Sequence, residues 1–215
     1  MKLCTFFSDS HRCFLKRFVN SFSFEPGIDL VIRNIPQLCS GNILEKDWMK
    51  AMERKIEYVI ECLETAKDGE IVIHSDCDVQ FFKPISNDIA QQLHKHDIVF
   101  QNDYAGKMCA GFFAAKNHKI VKSLFKTVKM KMHEHQNDQY AMNHYIPLYV
   151  KQHGLSVNTL PESYFTYGMY NKQWTERIGK NFTVPSDIIM HHANWVVGVE
   201  DKLKLMDIVE QKIRK

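Results

Sequence analysis

The segment from Glu70 to Pro84 constrains the fold of this chain more than any other part of its sequence. It begins with the apolar run Ile71-Val72-Ile73 and passes through Asp76 and Asp78 in a polar turn. It ends in a second apolar run that stops at Pro84. Short runs rich in β-branched residues are typical of a central strand that is covered on both faces. The segment therefore predicts an α/β protein in which a buried strand ends at two carboxylates.

These two aspartates predict either a metal site or a turn. Open α/β sheets bind ligands at the carboxyl ends of their strands, which is the predicted place of Asp76 and Asp78. Ionised carboxylates are costly to bury without a partner, and hard oxygen ligands suit Mg²⁺ or Mn²⁺. The alternative is that both side chains only cap the next turn, which is a common role for aspartate. The hydrophobic strand in front of them favours the metal site.

Size and composition are those of an ordinary globular protein. The 215 residues predict a single domain over residues 1–215. A net charge of +3 is too small to indicate nucleic-acid binding, but it allows a locally basic pocket. The N-terminus is too short and too polar for a signal peptide, and no apolar run approaches the ~20 residues that span a membrane. We therefore expect a cytoplasmic protein without a membrane span.

The order of the predicted elements indicates a Rossmann-like arrangement. A strand over residues 3–7, a helix with phenylalanines at four-residue spacing and a strand over residues 28–32 form a β-α-β unit, which implies a parallel pair. A long helix over residues 48–66 leads into the segment with the two aspartates. Further strands are predicted at residues 97–100, 110–115, 155–160 and 188–190, and helices at 85–94, 118–133, from 137 onwards, and at 202–213.

Three further groups of residues are candidates for binding. Residues at the end of the first strand, namely Thr5, Phe7, Ser8 and Asp9, could hold a nucleotide base, although an ordinary strand-to-helix cap is the alternative. Basic residues in the first half of the long helix indicate an anionic partner, or else a solvated face that nearby glutamates balance. Aromatic residues between 161 and 179 predict an irregular wall for a sugar or acceptor, with plain core packing as the alternative. They are Tyr164, Phe165, Tyr167, Tyr170 and Trp174.

Four stretches of the sequence, in this order and spacing, resemble the nucleotide-diphospho-sugar transferases, which are glycosyltransferases of the GT-A fold. They are residues 71–82 with the D-x-D, residues 97–103 followed by 110–114, residues 138–143, and His192-Ala193-Asn194-Trp195 with Gly198 and Lys202 behind it. The resemblance implies a GT-A (Rossmann-like) single domain, with a central, mostly parallel mixed sheet flanked by helices. The compact size is similar to that of microbial or large-virus members, and such a domain can be part of a longer multidomain protein.

The resemblance also implies a function. It predicts a hexosyl- or pentosyltransferase that moves a sugar from a nucleotide-diphosphate sugar, preferably a UDP-sugar, to a glycan or glycoprotein acceptor. Asp76, Asp78 and His192 would hold Mn²⁺ or Mg²⁺ and, through it, the donor diphosphate, while His191 stays open as an alternative ligand. The residues implied to contact the phosphates or to supply basic positions are Gly198, Lys202, Lys50 and Lys55.

The same resemblance places five residues next to the transferred sugar and the acceptor: Gln101, Asp103, Gly111, Asp138 and Gln139. If the reaction inverts the anomeric configuration, a carboxylate must take the proton of the acceptor hydroxyl, and Asp103 and Asp138 are the candidates. If configuration is retained, the leaving phosphate could take the proton instead. The resemblance does not decide between these two outcomes.

Two other functions remain open at the level of sequence. A Mg²⁺- or Mn²⁺-dependent phosphoesterase or nucleotidyltransferase could use Asp76, Asp78 and His192, but a two-metal site would need a further carboxylate that the sequence does not clearly offer. A non-catalytic, sugar-binding transferase-like domain is the second alternative. The acidic pair and the late histidine argue against it, because sugar binding alone does not require a cation for a leaving group.

Overall fold

The computed structural model describes residues 1–22, 25–39, 47–168, 178, 182–194 and 196–214. Its strands are β1 (Lys2–Phe7), β2 (Asp29–Asn34), β3 (Ile71–Ser75), β4 (Val79–Phe81), β5 (Ile98–Asn102), β6 (Met108–Lys116), β7 (Val157–Thr159), β8 (Tyr164–Thr166) and β9 (Met190–His192). Its helices are α1 (Arg12–Phe22), α2 (Trp48–Thr65), α3 (Ser86–Lys95), α4 (Lys119–Lys131), α5 (Asp138–His153) and α6 (Val199–Ile213). Helices and strands alternate along much of the chain, as in an α/β protein.

A six-stranded sheet in the order β2-β1-β3-β6-β5-β7 forms the centre of the fold. Strand β1 is parallel to β2 and β3, and β5 is parallel to β7, whereas β6 runs antiparallel to both of its neighbours. A second sheet has the order β4-β9-β8. The predicted fold class, a mostly parallel mixed sheet flanked by helices, is confirmed.

Alternating side chains of the central strands explain why helices cover both faces of the sheet. Val72 of β3 packs with the apolar sides of α2, α4 and α5. The next residue, Ile73, points to the opposite face and packs with α1 and α3. Phe113 and Phe112 of β6 divide in the same way between the two cores. Both faces are thus apolar, which is why β3 and β6 read as continuous hydrophobic runs rather than as alternating ones.

The structure differs from the predicted elements between residues 161 and 192. Part of the segment expected to be an irregular aromatic wall is strand β8, and Tyr164, Phe165 and Tyr167 are buried in the cores. For these three residues the alternative, core packing, is the one that the structure shows. Tyr164 and Phe165 pair with β9, and the ring of Tyr167 packs edge-on against Phe182. Tyr170 and Trp174 lie outside the described residues. The last strand begins two residues later than predicted and therefore contains both His191 and His192.

The two sheets meet where β3 ends and β4 begins, so the turn with Asp76 and Asp78 lies between them. In the described part of the chain, no helix is both long enough and apolar enough to cross a membrane.

Candidate functional site

A cavity of about 420 Å³ opens at the carboxyl ends of β1, β2 and β3, against the start of α5 and of α6. This is the edge at which open α/β sheets bind their ligands. Many of the residues that the sequence singled out line the cavity: Phe7, Lys55, Asp76, Asp78, Asp103, Gly111, Asp138, Gln139, His192, Gly198 and Lys202. The cavity falls within the size range of small-molecule sites.

Asp76, Asp78 and His192 form a group whose ligand atoms all lie within 4.8 Å of one another. Pairing of β4 with β9 creates this group, because it sets His192 opposite Val79, the residue after Asp78. The Ala193 amide donates a hydrogen bond to the Asp78 carbonyl at 3.0 Å and fixes the two segments together. Ligands of one Mg²⁺ at about 2.1 Å are about 4 Å apart at most, so small side-chain shifts would let the group bind such an ion.

Asp78 lies between two cationic groups. One of its oxygens is 3.3 Å from Nε2 of His192, and the other contacts Nζ of Lys202. Burial opposes ionisation of Asp78, but Lys202 and His192 outweigh burial and hold the pKa of Asp78 well below its usual range. Burial likewise lowers the pKa of His192, and Asp78 outweighs that effect and raises it to about 10. The carboxylate is therefore an anion that attracts positive charge into this corner.

Gln101 fixes the orientation of the His192 ring. Its side-chain amide donates hydrogen bonds to the carbonyls of Tyr164 and Phe165, at 3.1 and 3.2 Å. The amide oxygen must then face Nδ1 of His192, 3.0 Å away, so that Nδ1 carries a proton. Nε2 faces Asp78 and donates to it while the ring is cationic, and a bound metal ion would take the place of that proton. This is how proteins commonly orient a histidine that binds a metal. Gln101 is fully buried behind His192 rather than on the cavity wall.

His191 points to the other side of β9. Its Nδ1 is 2.9 Å from the side-chain oxygen of Gln80, and the Gln80 amide donates to Glu210 of α6. Burial lowers the pKa of His191 to about 3, so the ring is neutral. Because neighbouring residues of a strand face opposite ways, only one of the two histidines can reach the aspartates, and in the structure it is His192.

Lys55 connects this corner to the start of α5. It is 4% exposed, and its Nζ lies 3.0 Å from Asp138 and 3.3 Å from Asp76. Burial disfavours the ammonium, but the two carboxylates outweigh burial and raise the pKa of Lys55. Burial would also raise the pKa of Asp76, but Lys55 outweighs it and lowers that pKa to about 2.

We expect Lys55→Met to lower the free energy of unfolding by about 3 kcal/mol, because it leaves the buried carboxylate of Asp138 and the partly buried one of Asp76 without their cation. Urea denaturation followed by circular dichroism measures this change. Lys129→Met is the control, since Lys129 is partly exposed and pairs with Glu57 on the surface, and its loss should cost less than about 1 kcal/mol. An equal cost for both substitutions would contradict the importance of the buried network.

Gly111 lies directly under the group of Asp76, Asp78 and His192. A methyl group at its Cα would be 2.2 Å from Cε1 of His192 and 2.7 Å from an oxygen of Asp76. The Gly111 carbonyl also accepts a hydrogen bond from the Asp76 amide at 2.7 Å. Glycine is thus required here by the close approach of the His192 and Asp76 side chains.

Asp103 and Gln139 form the wall farther from the D-x-D turn. The Gln139 amide donates to Asp103 at 2.7 Å, and its oxygen accepts from the Ala110 amide at 3.0 Å. Asp103 is 4% exposed and also accepts a hydrogen bond from the amide of Tyr104. These bonds hold a carboxylate in one fixed position on the cavity wall.

Besides Gln101, three of the predicted site residues lie away from the cavity wall. Thr5 is fully buried in β1. Asp9 pairs with Arg12 on the surface at 2.9 Å, and Lys50 pairs with Asp47 at 2.8 Å. None of the three lines the cavity, and their proposed contacts with the donor stay predictions.

The cavity also includes residues that the sequence analysis did not single out. Among them are His11, the segment 35–39, Cys109, Asn137 and Tyr140. The segment 35–39 could have been identified, because it follows the carboxyl end of a strand that was predicted to be parallel. His11 carries no comparable signal, since its position depends on packing between distant elements.

Comparison with known proteins gives two findings. The family model described as nucleotide-diphospho-sugar transferase matches residues 39–206. Among solved structures, the fold is similar to the crystal structure of a glycosyltransferase involved in the glycosylation of the major capsid of PBCV-1, with a TM-score of 0.61 and 13% sequence identity. That match covers 94% of this chain and 98% of the other. No curated protein sequence matches significantly.

Proposed function

Because this chain belongs to the nucleotide-diphospho-sugar transferase family and is a glycosyltransferase, we propose that it transfers a sugar from a UDP-sugar, with Mn²⁺ as cofactor. The acceptor in this proposal is a glycan or a glycoprotein. The observation that carries the proposal is the convergence of Asp76, Asp78 and His192 at one end of the 420 Å³ cavity, with Lys202 beside them.

In this proposal Asp76, Asp78 and His192 hold the divalent cation, and Gln101 keeps the histidine in the required orientation. Two carboxylates and one imidazole form a donor set that suits Mn²⁺. When bound, the cation would neutralise the negative charge that develops on the departing nucleoside diphosphate. Lys202 contributes a second positive charge at the same place, since its ammonium already contacts Asp78.

The donor would extend from this corner in two directions. We place the nucleotide base at the side formed by Phe7 and residues 35–39, where β1 and β2 end. The sugar would lie at the other side, near Gly111, Asp138 and Gln139. This arrangement agrees with the general rule that nucleotides bind across the carboxyl ends of strands in open α/β sheets.

The reaction forms a bond between the acceptor oxygen and the anomeric carbon, and it breaks the bond from that carbon to the diphosphate, whose oxygen keeps the electron pair. The acceptor proton then goes to a carboxylate if configuration is inverted, or to the leaving diphosphate if it is retained. We assign the carboxylate role to Asp103 rather than to Asp138. The Asp138 carboxylate is already engaged by the ammonium of Lys55 at 3.0 Å, whereas Asp103 is held on the cavity wall by Gln139 and the Tyr104 amide.

The proposal is tested by release of nucleoside diphosphate from a panel of UDP-, GDP- and dTDP-sugars, with Mn²⁺ or with EDTA. We expect release from a UDP-sugar with Mn²⁺ only. His192→Ala should reduce it at least ~10²-fold, because it removes a metal ligand. His191→Ala is the matched control and should keep at least half of the activity. Release of inorganic phosphate instead would indicate a phosphoesterase, and an equal loss in both variants would contradict the assignment of His192.

A further inference from the structure

A second, smaller cavity adjoins the first one. Its volume is about 120 Å³, and its lining comprises Asp103, Tyr104, Lys107, Gln139, Tyr140 and Asn143. Asp103, Gln139 and Tyr140 line both cavities. The two spaces are therefore neighbours that share one wall, and the carboxylate of Asp103 belongs to that wall.

Two tyrosines give the smaller cavity an unusual rim. Tyr104 is 44% exposed and Tyr140 is 43% exposed, whereas most aromatic rings of the cores are buried. The ammonium of Lys107 lies 4.5 Å from the centroid of the Tyr140 ring and thereby fixes both side chains by a cation–π contact. Exposed rings held in place at a cavity mouth provide flat apolar surfaces next to water, which suits a ligand with one apolar and one polar side.

The turn that carries Tyr104 and Lys107 is held under backbone strain. Ala105 has φ 58° and ψ 30°, the left-handed conformation that residues with a Cβ rarely adopt. Hydrogen bonds around Asp103 maintain the turn, because its amide donates to the Lys107 carbonyl at 2.7 Å and its carbonyl accepts from Gly106 at 3.1 Å. Strain of this kind persists where surrounding contacts fix it, and it clusters at ligand sites.

We propose that this smaller cavity is the acceptor subsite and that it binds one sugar ring of a saccharide acceptor between Tyr104 and Tyr140. The proposal rests on the proposed function, and it identifies the acceptor as a carbohydrate. A ring bound there would have Asp103 on its boundary with the donor cavity, so that one of its hydroxyls could approach the anomeric carbon of the donor sugar.

The chemistry of the lining favours a sugar over other acceptors. Carbohydrate rings have apolar C–H faces and polar edges, and this lining combines two aromatic rings with a carboxylate, an ammonium and the amide of Gln139. A cavity of about 120 Å³ is below the usual size of small-molecule pockets, so it can enclose one ring of a larger glycan while the rest extends into water. A lipid chain would need a longer apolar channel than this cavity provides.

Asn143 supports this lining from behind rather than contacting the acceptor. Its side chain accepts a hydrogen bond from the Met108 amide at 2.9 Å and donates to the carbonyls of Met108 and Gln139, both at 2.8 Å. These bonds join the start of β6 to the first turn of α5. The residues that can contact an acceptor are then Tyr104, Tyr140, Lys107 and Asp103.

The test compares the wild type with Tyr104→Ala and Tyr104→Phe. Transfer from the active nucleotide sugar is measured to methyl glucoside, galactoside and mannoside and, in parallel, to serine- and threonine-containing peptides. We expect transfer to at least one methyl glycoside. Tyr104→Ala should raise the KM for that glycoside at least tenfold, because it removes the stacking ring. Tyr104→Phe keeps the ring and should change the KM less than threefold.

Donor affinity without acceptor, measured by calorimetry in Mn²⁺, separates failure of this subsite from failure of the proposed function. It should change less than twofold in Tyr104→Ala, since Tyr104 lines only the smaller cavity. If the wild type binds the donor but transfers sugar to no glycoside, with or without transfer to peptides, the subsite is overturned. It is also overturned if Tyr104→Ala leaves the KM for the glycoside unchanged. A wild type that binds no nucleotide sugar in Mn²⁺ would overturn the proposed function and the subsite with it.

Discussion

Asp78→Asn is expected to abolish Mn²⁺-dependent binding of the donor and to reduce transfer at least ~10²–10³-fold. The substitution preserves the shape of the side chain but removes the negative charge that faces both His192 and Lys202. A neutral amide is a weaker ligand for a hard cation than a carboxylate. Calorimetric titration with Mn²⁺, followed by titration with the donor, measures both losses.

Asp97→Asn is the matched control for loss of a carboxylate. Asp97 is half-buried, accepts a hydrogen bond from the Ser156 amide at 2.9 Å and does not line the cavity. It should bind metal and donor as the wild type does, even if its stability falls by about 1 kcal/mol. Wild-type metal and donor affinities in Asp78→Asn would contradict the role that we assign to Asp78.

Unfolding measurements on Asp78 variants distinguish the role of Asp78 in balancing nearby charges from its role in binding the metal. Asp78→Asn leaves Lys202 and His192 without their counter-charge, so we expect it to lower the free energy of unfolding by about 2–3 kcal/mol. Adding Lys202→Met should recover part of this loss, because it removes one of the uncompensated cations. The double variant should still bind no donor. Recovery of donor binding together with stability would mean that the aspartate serves only the fold.

Gly111→Ala is expected to have the second largest effect on Mn²⁺ binding, although the substitution changes no polar group. Its methyl group would be 2.2 Å from the ring of His192, and Gln101 holds that ring from behind, so the ring has little room to retreat. Displacement of the His192 ring by this methyl group should weaken Mn²⁺ binding about 10–100-fold, which is the usual loss when supporting contacts around a metal site are removed. Calorimetric titration with Mn²⁺ measures the change.

Gly69→Ala is the matched control, and it should reduce stability without reducing Mn²⁺ affinity. Gly69 has φ +75° and no atom within 4 Å of the position of a new Cβ, so alanine there is strained but does not clash. We expect it to lower the free energy of unfolding by about 1–2 kcal/mol and to leave Mn²⁺ affinity unchanged. If Gly111→Ala also lost stability alone and kept its metal affinity, the close approach at Gly111 would have no functional meaning.

The sequence was sufficient to predict the elements and residues whose signals are local. The apolar run before Asp76 identifies β3, and β-α-β order identifies the parallel part of the sheet. The end of the chain was less predictable. Strand β9 is only three residues long and contains two histidines, so its polar sequence gave no clear strand pattern until its partners β4 and β8 were known.

Residue roles depended more strongly on contacts that sequence cannot display. Gln101 follows a strand toward the cavity and was expected to face the sugar, but two carbonyls of β8 turn its side chain behind His192. Tyr104 was passed over because an exposed tyrosine in a short turn has no pattern of its own. Gly111 is required by the position of the His192 ring, which the sequence does not show. In each case the deciding contact joins residues far apart in the chain.

The central claim is that the corner formed by Asp76, Asp78 and His192 binds a metal-linked nucleotide sugar, and thermal unfolding tests it most directly. The melting temperature would be measured with UDP-, GDP- and dTDP-sugars, each with and without Mn²⁺. At a ligand concentration of ~100 Kd we predict a rise of about 5–10 °C for UDP-sugars with Mn²⁺, and no rise with either component alone. The absence of a rise with every pair, or an equal rise without metal, would contradict the account.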